Sequence, residues 1–228
     1  MFDLTLTFDN GPEPGVTPRV LDILSKRGLK TTFFVIGEKL ADPERRRLAA
    51  RAHDEGHWIG NHTFAHSVPL GRQSDPLAAE HEIGRTQAAI GDLAHCQRWF
   101  RPFGGGGNLD DRLLKRSVVD YLLGGKFSCV LWNAIPRDWA DPQGWAERAL
   151  AQCRMQPWSL LVLHDLPSGA MEHLEDFLDR AGAEGARFRQ DFPDSCVPIR
   201  AGEIVLPINT YVSAIEQPVN REKQGEHP

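Results

Sequence analysis

Residues 4–9 read L-T-L-T-F-D, apolar and polar positions in alternation, and run into a turn at Gly11-Pro12. Period-two alternation predicts a strand, and its C-terminal end presents two adjacent polar side chains, Asp9 and Asn10. Val16, Val20, Ile23 and Leu24 then fall on one helical face, opened by Thr17-Pro18 and stopped by Gly28. That is a helix with an oxygen-bearing cap and a proline in its first turn. The same opening recurs at Asp42-Pro43, Asp75-Pro76 and Asp141-Pro142. Between these helices lie short apolar runs at 31–36, 57–60, 98–100, 127–132, 160–164 and 186–188, and 204–211 reads as a last strand. About seven strands alternating with helices predict parallel βαβ units in an α/β fold. Both an incomplete (β/α) barrel and an open doubly wound sheet satisfy that pattern.

No composition break interrupts residues 1–205, so 1–215 is read as one domain, and the polar stretch 216–228 as a frayed tail or an arm docking on a second copy. The 228 residues, 41% apolar and 25% charged, suffice for a substantial core. A net charge of −5 provides no basic face for nucleic acid. No run of about 18 apolar residues is present to span a bilayer. The N-terminus lacks a basic region followed by an apolar one, so a cytoplasmic location is expected. Cys96, Cys129, Cys153 and Cys196 are scattered, which reads as isolated thiols and not as a disulfide framework or a cysteine zinc site.

The candidate chemistry gathers where strands end. A carboxylate at the C-terminal end of a short strand, here Asp9, occupies the usual catalytic position of α/β enzymes. His62 and His66, in N-H-T-F-A-H-S, are four residues apart and can share a metal from one side of a helical turn. F-R-P-F-G-G-G-G-N, residues 100–108, contains Arg101, whose planar guanidinium can hold a carboxylate. Its glycines suit either a backbone approach to an oxyanion or a plain surface loop. W-N-A-I-P-R-D-W, residues 132–139, ends in Asp138 and Trp139, and Asp138 is free to orient another group because Asp141 caps the next helix. L-L-V-L-H-D, residues 160–165, places Val162 and His164 on one side of a strand. No G-x-S-x-G elbow, cysteine with an adjacent base, or phosphate-binding glycine loop is present, which argues against serine or cysteine hydrolysis and nucleotide binding.

T-F-D-N-G-P, H-T-F-A-H-S, F-R-P-F-G-G, the spaced W…D-W and L-V-L-H-D stand in an order and spacing similar to the five motifs of the polysaccharide deacetylase (NodB-homology, carbohydrate esterase family 4) superfamily. The chain resembles that superfamily from residue 4 to about residue 180. The resemblance implies a deformed (β/α) barrel that hydrolyses an N-acyl bond, usually an N-acetyl group on an amino sugar. It implies that Asp9 is the catalytic base, held by Arg101, and that His164 is the acid that protonates the leaving amine, tuned by Asp138. It implies His62 and His66 as ligands of a divalent metal, usually zinc, with Asn10 at the third ligand position. Gly104 stands where the family has a tyrosine whose backbone N–H helps form the oxyanion hole. Trp139 and Val162 stand where side chains line the pocket for the acyl methyl.

Two positions depart from the family pattern. Ile135 replaces the aspartate that usually opens the fourth motif. Asn10 replaces an aspartate ligand, and a neutral amide should bind zinc less tightly while leaving the ion more of its charge. Allantoinase-like and cyclic-imide-hydrolysing members work without a metal, and in such a site Asn10 would instead donate a hydrogen bond to substrate. The expected function is metal-dependent deacetylation of an N-acetylated sugar. The alternatives are a metal-independent hydrolase of a small amide or imide, and a weakly catalytic carbohydrate-binding scaffold. Carrying both Asp9 and His164 argues against the scaffold.

Overall fold

A computed structural model describes residues 1–214, and the segment 216–228 lies outside the described residues. Seven strands run parallel: β1 (Phe2–Asp9), β2 (Thr32–Val35), β3 (Trp58–Asn61), β4 (Trp99–Phe100), β5 (Ser128–Cys129), β6 (Trp158–His164) and β7 (Ala186–Arg189). Two short strands, β8 (Ile199–Arg200) and β9 (Glu203–Ile204), add to the β5 edge in antiparallel fashion. β1 is the axis of the sheet. It pairs with β6 along residues 3–9, with β7 near its start and with β2 near its end.

Its alternation sorts two environments. Leu4, Leu6 and Phe8 are buried in a cluster with Val20, Leu24, Leu150 and Phe177 from the surrounding helices. The opposite face, Thr5, Thr7 and Asp9, turns into the interior of the curled sheet, by the period of two. β6 sorts likewise, with Leu161 and Leu163 toward the helices. Below the site, Phe34, Trp99, Val130, Leu160, Phe192 and Val197 form an apolar floor.

The regular ladder stops between β5 and β6, where residues 133–135 span the gap. The Asn133 amide donates to the Trp158 carbonyl at 3.0 Å and accepts from the Leu160 N–H at 2.7 Å, and Ala134 bridges Leu161 in parallel. The architecture is therefore a curled, incompletely closed barrel, which decides against the open doubly wound sheet.

The helices are α1 (Thr17–Lys26), α2 (Pro43–Asp54), α3 (Arg85–Ile90), α4 (Arg116–Gly124), α5 (Trp145–Arg154) and α6 (Leu174–Ala183). Asp42 caps α2 as expected, accepting from the Glu44 N–H at 2.8 Å; Asp75 and Asp141 accept from the Leu77 and Gly144 N–H groups at 2.8 and 2.9 Å in the turns that precede their helices. Thr17 differs. It makes no cap bond; its hydroxyl accepts from the Glu13 N–H at 2.7 Å and donates to the buried carboxylate of Asp165. The expected strand over 204–211 is likewise corrected. β9 ends at Ile204 and a 3₁₀ turn covers Asn209–Tyr211, since Pro207 lacks the N–H a continuing ladder needs. Among the described residues, no helix is long and apolar enough to cross a membrane.

Candidate active site

In a parallel barrel every strand ends on the same rim, so residues distant in sequence meet there. Asp9 ends β1, His62 and His66 follow β3, Arg101 follows β4, Asp138 lies between β5 and β6, and His164 ends β6. Asp9, Asn10, His62, His66, Gly104, Trp139, Val162 and His164 all line one cavity of about 210 Å³. Arg101 and Asp138 stand behind its wall, fully buried.

Arg101 fixes one oxygen of Asp9. Its Nη1 donates to Asp9 Oδ1 at 2.8 Å and to Thr7 Oγ1 at 2.6 Å, while Nε and Nη2 donate to the Val130 and Leu131 carbonyls. The guanidinium carbon lies 4.1 Å from the centre of the Phe34 ring. Burial pulls the Arg101 pKa down and Asp9 pulls it partly back, but a guanidinium stays charged in a protein. The second oxygen, Asp9 Oδ2, stands 3.5 Å from His62 Nε2.

The histidine pair is neutral and its nitrogens converge. His62 Nδ1 lies 2.8 Å from the Arg101 carbonyl, an acceptor, so Nδ1 carries the hydrogen and Nε2 keeps its lone pair. His62 Nε2 and His66 Nε2 are 3.1 Å apart. Burial pushes both pKa values down to about 3, so neither ring is protonated at neutral pH. Asn10 has φ of +73°, a left-handed conformation that asparagine tolerates better than most residues. Its buried Oδ1 has no hydrogen-bond partner. Among the described residues no three His, Cys, Asp or Glu side chains gather as a metal site; Asn10 lines the same cavity as the two histidines. Two lone-pair imidazoles and an unpaired amide oxygen on one cavity fit a divalent cation. The Nδ1 contact of His62 with a carbonyl is of the kind that orients an imidazole toward a metal.

His164 is built as the opposite kind of group. Its Nδ1 lies 2.8 Å from Asp138 Oδ1, and its backbone N–H donates to Asp138 Oδ2 at 2.8 Å. Burial works against protonation, but the Asp138 hydrogen bond and charge, helped by Asp9 and Asp165, outweigh it and hold the His164 pKa above its ordinary value. The Trp139 ring meets His164 edge-on with centroids 4.7 Å apart. Val162 lines the cavity beside His164, as their shared strand face requires.

The family model for polysaccharide deacetylases matches residues 3–118. The chain belongs to the polysaccharide deacetylase family. A chitooligosaccharide deacetylase of Rhizobium leguminosarum bv. phaseoli is 34% identical over 170 residues, covering 71% of this chain and 67% of the relative. A peptidoglycan-N-acetylmuramic acid deacetylase of Bacillus subtilis is 47% identical over 189 residues, covering 81% and 68%. A T48 deacetylase solved with substrate superposes with a TM-score of 0.68 at 29% identity, covering 83% of this chain and 88% of that one. The chain is a hydrolase of carbon–nitrogen bonds other than peptide bonds.

Two of the four glycines of the run, Gly104 and Gly107, are packed against neighbouring side chains, while Gly106 is exposed. A Cβ on Gly104 would stand 2.5 Å from the Trp132 ring, and one on Gly107 would stand 2.6 Å from Ile135. The Trp132 indole donates to the Gly107 carbonyl at 3.2 Å, so Trp132 fills the space beside Gly104. Ile135 is thus an apolar wall residue of the deacetylase. Sequence reading missed the packing role of Trp132, although it stood inside a quoted motif. It also gave no task to Asp165, which ties β6 to α1. Glu82, which supports the histidine turn from 18 residues away, has no local signature at all.

Proposed function

We propose that the chain removes the acetyl group from an N-acetylated amino sugar in an oligosaccharide or peptidoglycan-type glycan. The observation that carries this reading is the pairing of two opposed groups on one cavity: a carboxylate with one oxygen tied by Arg101 and a histidine whose Nδ1 is tied to a buried carboxylate. Asp9 Oδ1 is occupied by Arg101, which leaves Oδ2 to take a proton from the attacking water. His164 Nδ1 is occupied by Asp138, which leaves Nε2 to give a proton to the departing amine. Trp139 and Val162 line the space for the acyl methyl. The Gly104 N–H is the proposed donor to the oxygen that gains charge.

His62, His66 and Asn10 would hold a divalent ion, with zinc as the expected metal. Bound there, it would polarise the acyl carbonyl and lower the pKa of water. The unpaired Asn10 oxygen supports this over a metal-free site, because a bare buried acceptor seeks a cation or donor. The names of the relatives, chitooligosaccharide and peptidoglycan deacetylases, support a sugar amide as substrate.

Acetate release from N-acetyl-chitooligosaccharides and from peptidoglycan, with zinc and with chelator, tests the proposal. Zinc-dependent release that Asp9→Asn reduces by about 10²–10⁴-fold is expected. Hydrolysis of small amides in chelator, with no acetate from either glycan in zinc, would overturn it.

A further inference from the structure

We propose that Glu82 is a positioning residue that sets the placement of His62 and His66, an inference that rests on the metal-site reading above. The two histidines flank a tight turn in which Thr63 (φ +67°) and His66 (φ +50°) adopt left-handed conformations. For the β-branched Thr63 that conformation is one the chain holds only with support. The turn is gripped on both of its backbone edges. The Thr63 and Phe64 carbonyls accept from the Gly37 and Glu38 N–H groups at 2.9 and 3.1 Å. On the other edge, one oxygen of Glu82 accepts from the N–H groups of both Phe64 and Ala65, at 2.8 and 3.0 Å.

Glu82 is delivered by an irregularity in its helix. Residues Glu80–Gly84 form a π-helical turn, closed by the Arg85 N–H donating to the Glu80 carbonyl, immediately before α3. Single π-turns inside helices are rare and frequent at functional sites. Side chains knit this turn to its surroundings. Asn61, just before His62, donates to the Ile83 carbonyl at 2.9 Å and accepts from the Thr63 N–H at 3.1 Å. Thr86 donates to the Glu82 carbonyl at 2.7 Å. A carboxylate accepting two backbone N–H groups with only 9% exposure is a rigid strut. It bears on the residues between the two histidines and therefore on the 3.1 Å spacing of their Nε2 atoms.

The test is titration of the metal-free full chain with cobalt(II), whose visible absorption reports ligand geometry, in wild type, Glu82→Ala, Glu82→Asp and Glu82→Gln. Circular dichroism checks folding. Loss of a residue that supports metal ligands weakens metal binding by about 10–100-fold. Glu82→Ala should show that loss and an altered cobalt spectrum. Glu82→Asp keeps the charge but withdraws the oxygen, and should behave like the alanine variant. Glu82→Gln keeps an acceptor in place and should stay within about threefold of wild type, because placement and not charge is what the turn needs. Wild-type affinity and spectrum in Glu82→Ala would overturn the inference alone, as would Glu82→Gln failing as badly as Glu82→Ala. Wild type that takes up no cobalt would overturn it together with the metal reading.

Discussion

At the scale of single residues, the site separates a carboxylate tied by Arg101 from a histidine tied by Asp138. Arg101 is fully buried and shares its donors among Asp9, Thr7 and two carbonyls. Removing one member of a buried ion pair leaves the other uncompensated. Arg101→Met should therefore cost about 3–5 kcal/mol of stability in urea denaturation, and turnover should fall with it. A loss below about 1 kcal/mol would mean that Asp9 is solvated well enough to stand alone. His164 makes the opposite prediction. Its pKa is raised, so the stabilisation it draws from Asp138 is complete below the ordinary histidine value of about 6.5. That stabilisation is lost as pH rises through the higher folded value. The protonated acid follows the same limits. Asp138→Asn should move the alkaline limb of kcat/KM to lower pH, and an unmoved limb would assign that limb to another group.

At the scale of elements, the first turn of α1 is docked on the end of β6. The Thr17 hydroxyl donates to Asp165, the residue after His164, so the helix start is fixed to the rim that carries the site. Burial pushes the Asp165 carboxyl up to about 7, with Thr17 opposing. A carboxyl whose folded pKa is raised gives stability that is full below the ordinary value of about 4 and lost as pH rises through 7. Wild-type stability should thus decline across that window. Asp165→Asn keeps an acceptor for Thr17 without a charge to bury, and should flatten the decline. Its advantage should reach about 4 kcal/mol above pH 7, read from urea midpoints at several pH values. Parallel profiles for the two proteins would show that Asp165 titrates elsewhere.

At the scale of the whole molecule, the curled sheet brings residues 9, 62, 66 and 164 onto one cavity, with Asp138 behind its wall. An ion held there would join the loops after β1 and β3. Any ligand that binds only the folded state adds stability by mass action. Zinc at about 100 times its dissociation constant should add about 2.7 kcal/mol, seen as a rise in melting temperature that chelator reverses. Replacing His66 by Ala should abolish most of that rise while leaving the zinc-free melting temperature near wild type. A zinc response unchanged in His66→Ala would place the ion elsewhere.

Much of this was legible in the sequence because it is local. The alternation of residues 4–9 fixes which side chains of β1 meet the helices and which face the interior, and strand ends carry Asp9 and His164 to one rim by the geometry of a parallel sheet. The Asp-Pro pairs mark one helix cap and two turns that lead into helices, because such a side-chain bond spans only two or three residues. What tertiary structure decided depends on groups far apart in the chain. Thr17 has the composition of a cap, yet it serves Asp165, 148 residues away. The glycines look like a loose loop until Trp132 and Ile135 pack on them. Whether the sheet curls or stays open rests on Asn133 reaching across to β6. Asn10 is readable as a substitution, but that its oxygen is buried and unpaired follows only from the folded rim. Local pattern sets the elements and the residue types at their ends; burial and distance, which exist only once the chain is folded, set their protonation and their partners.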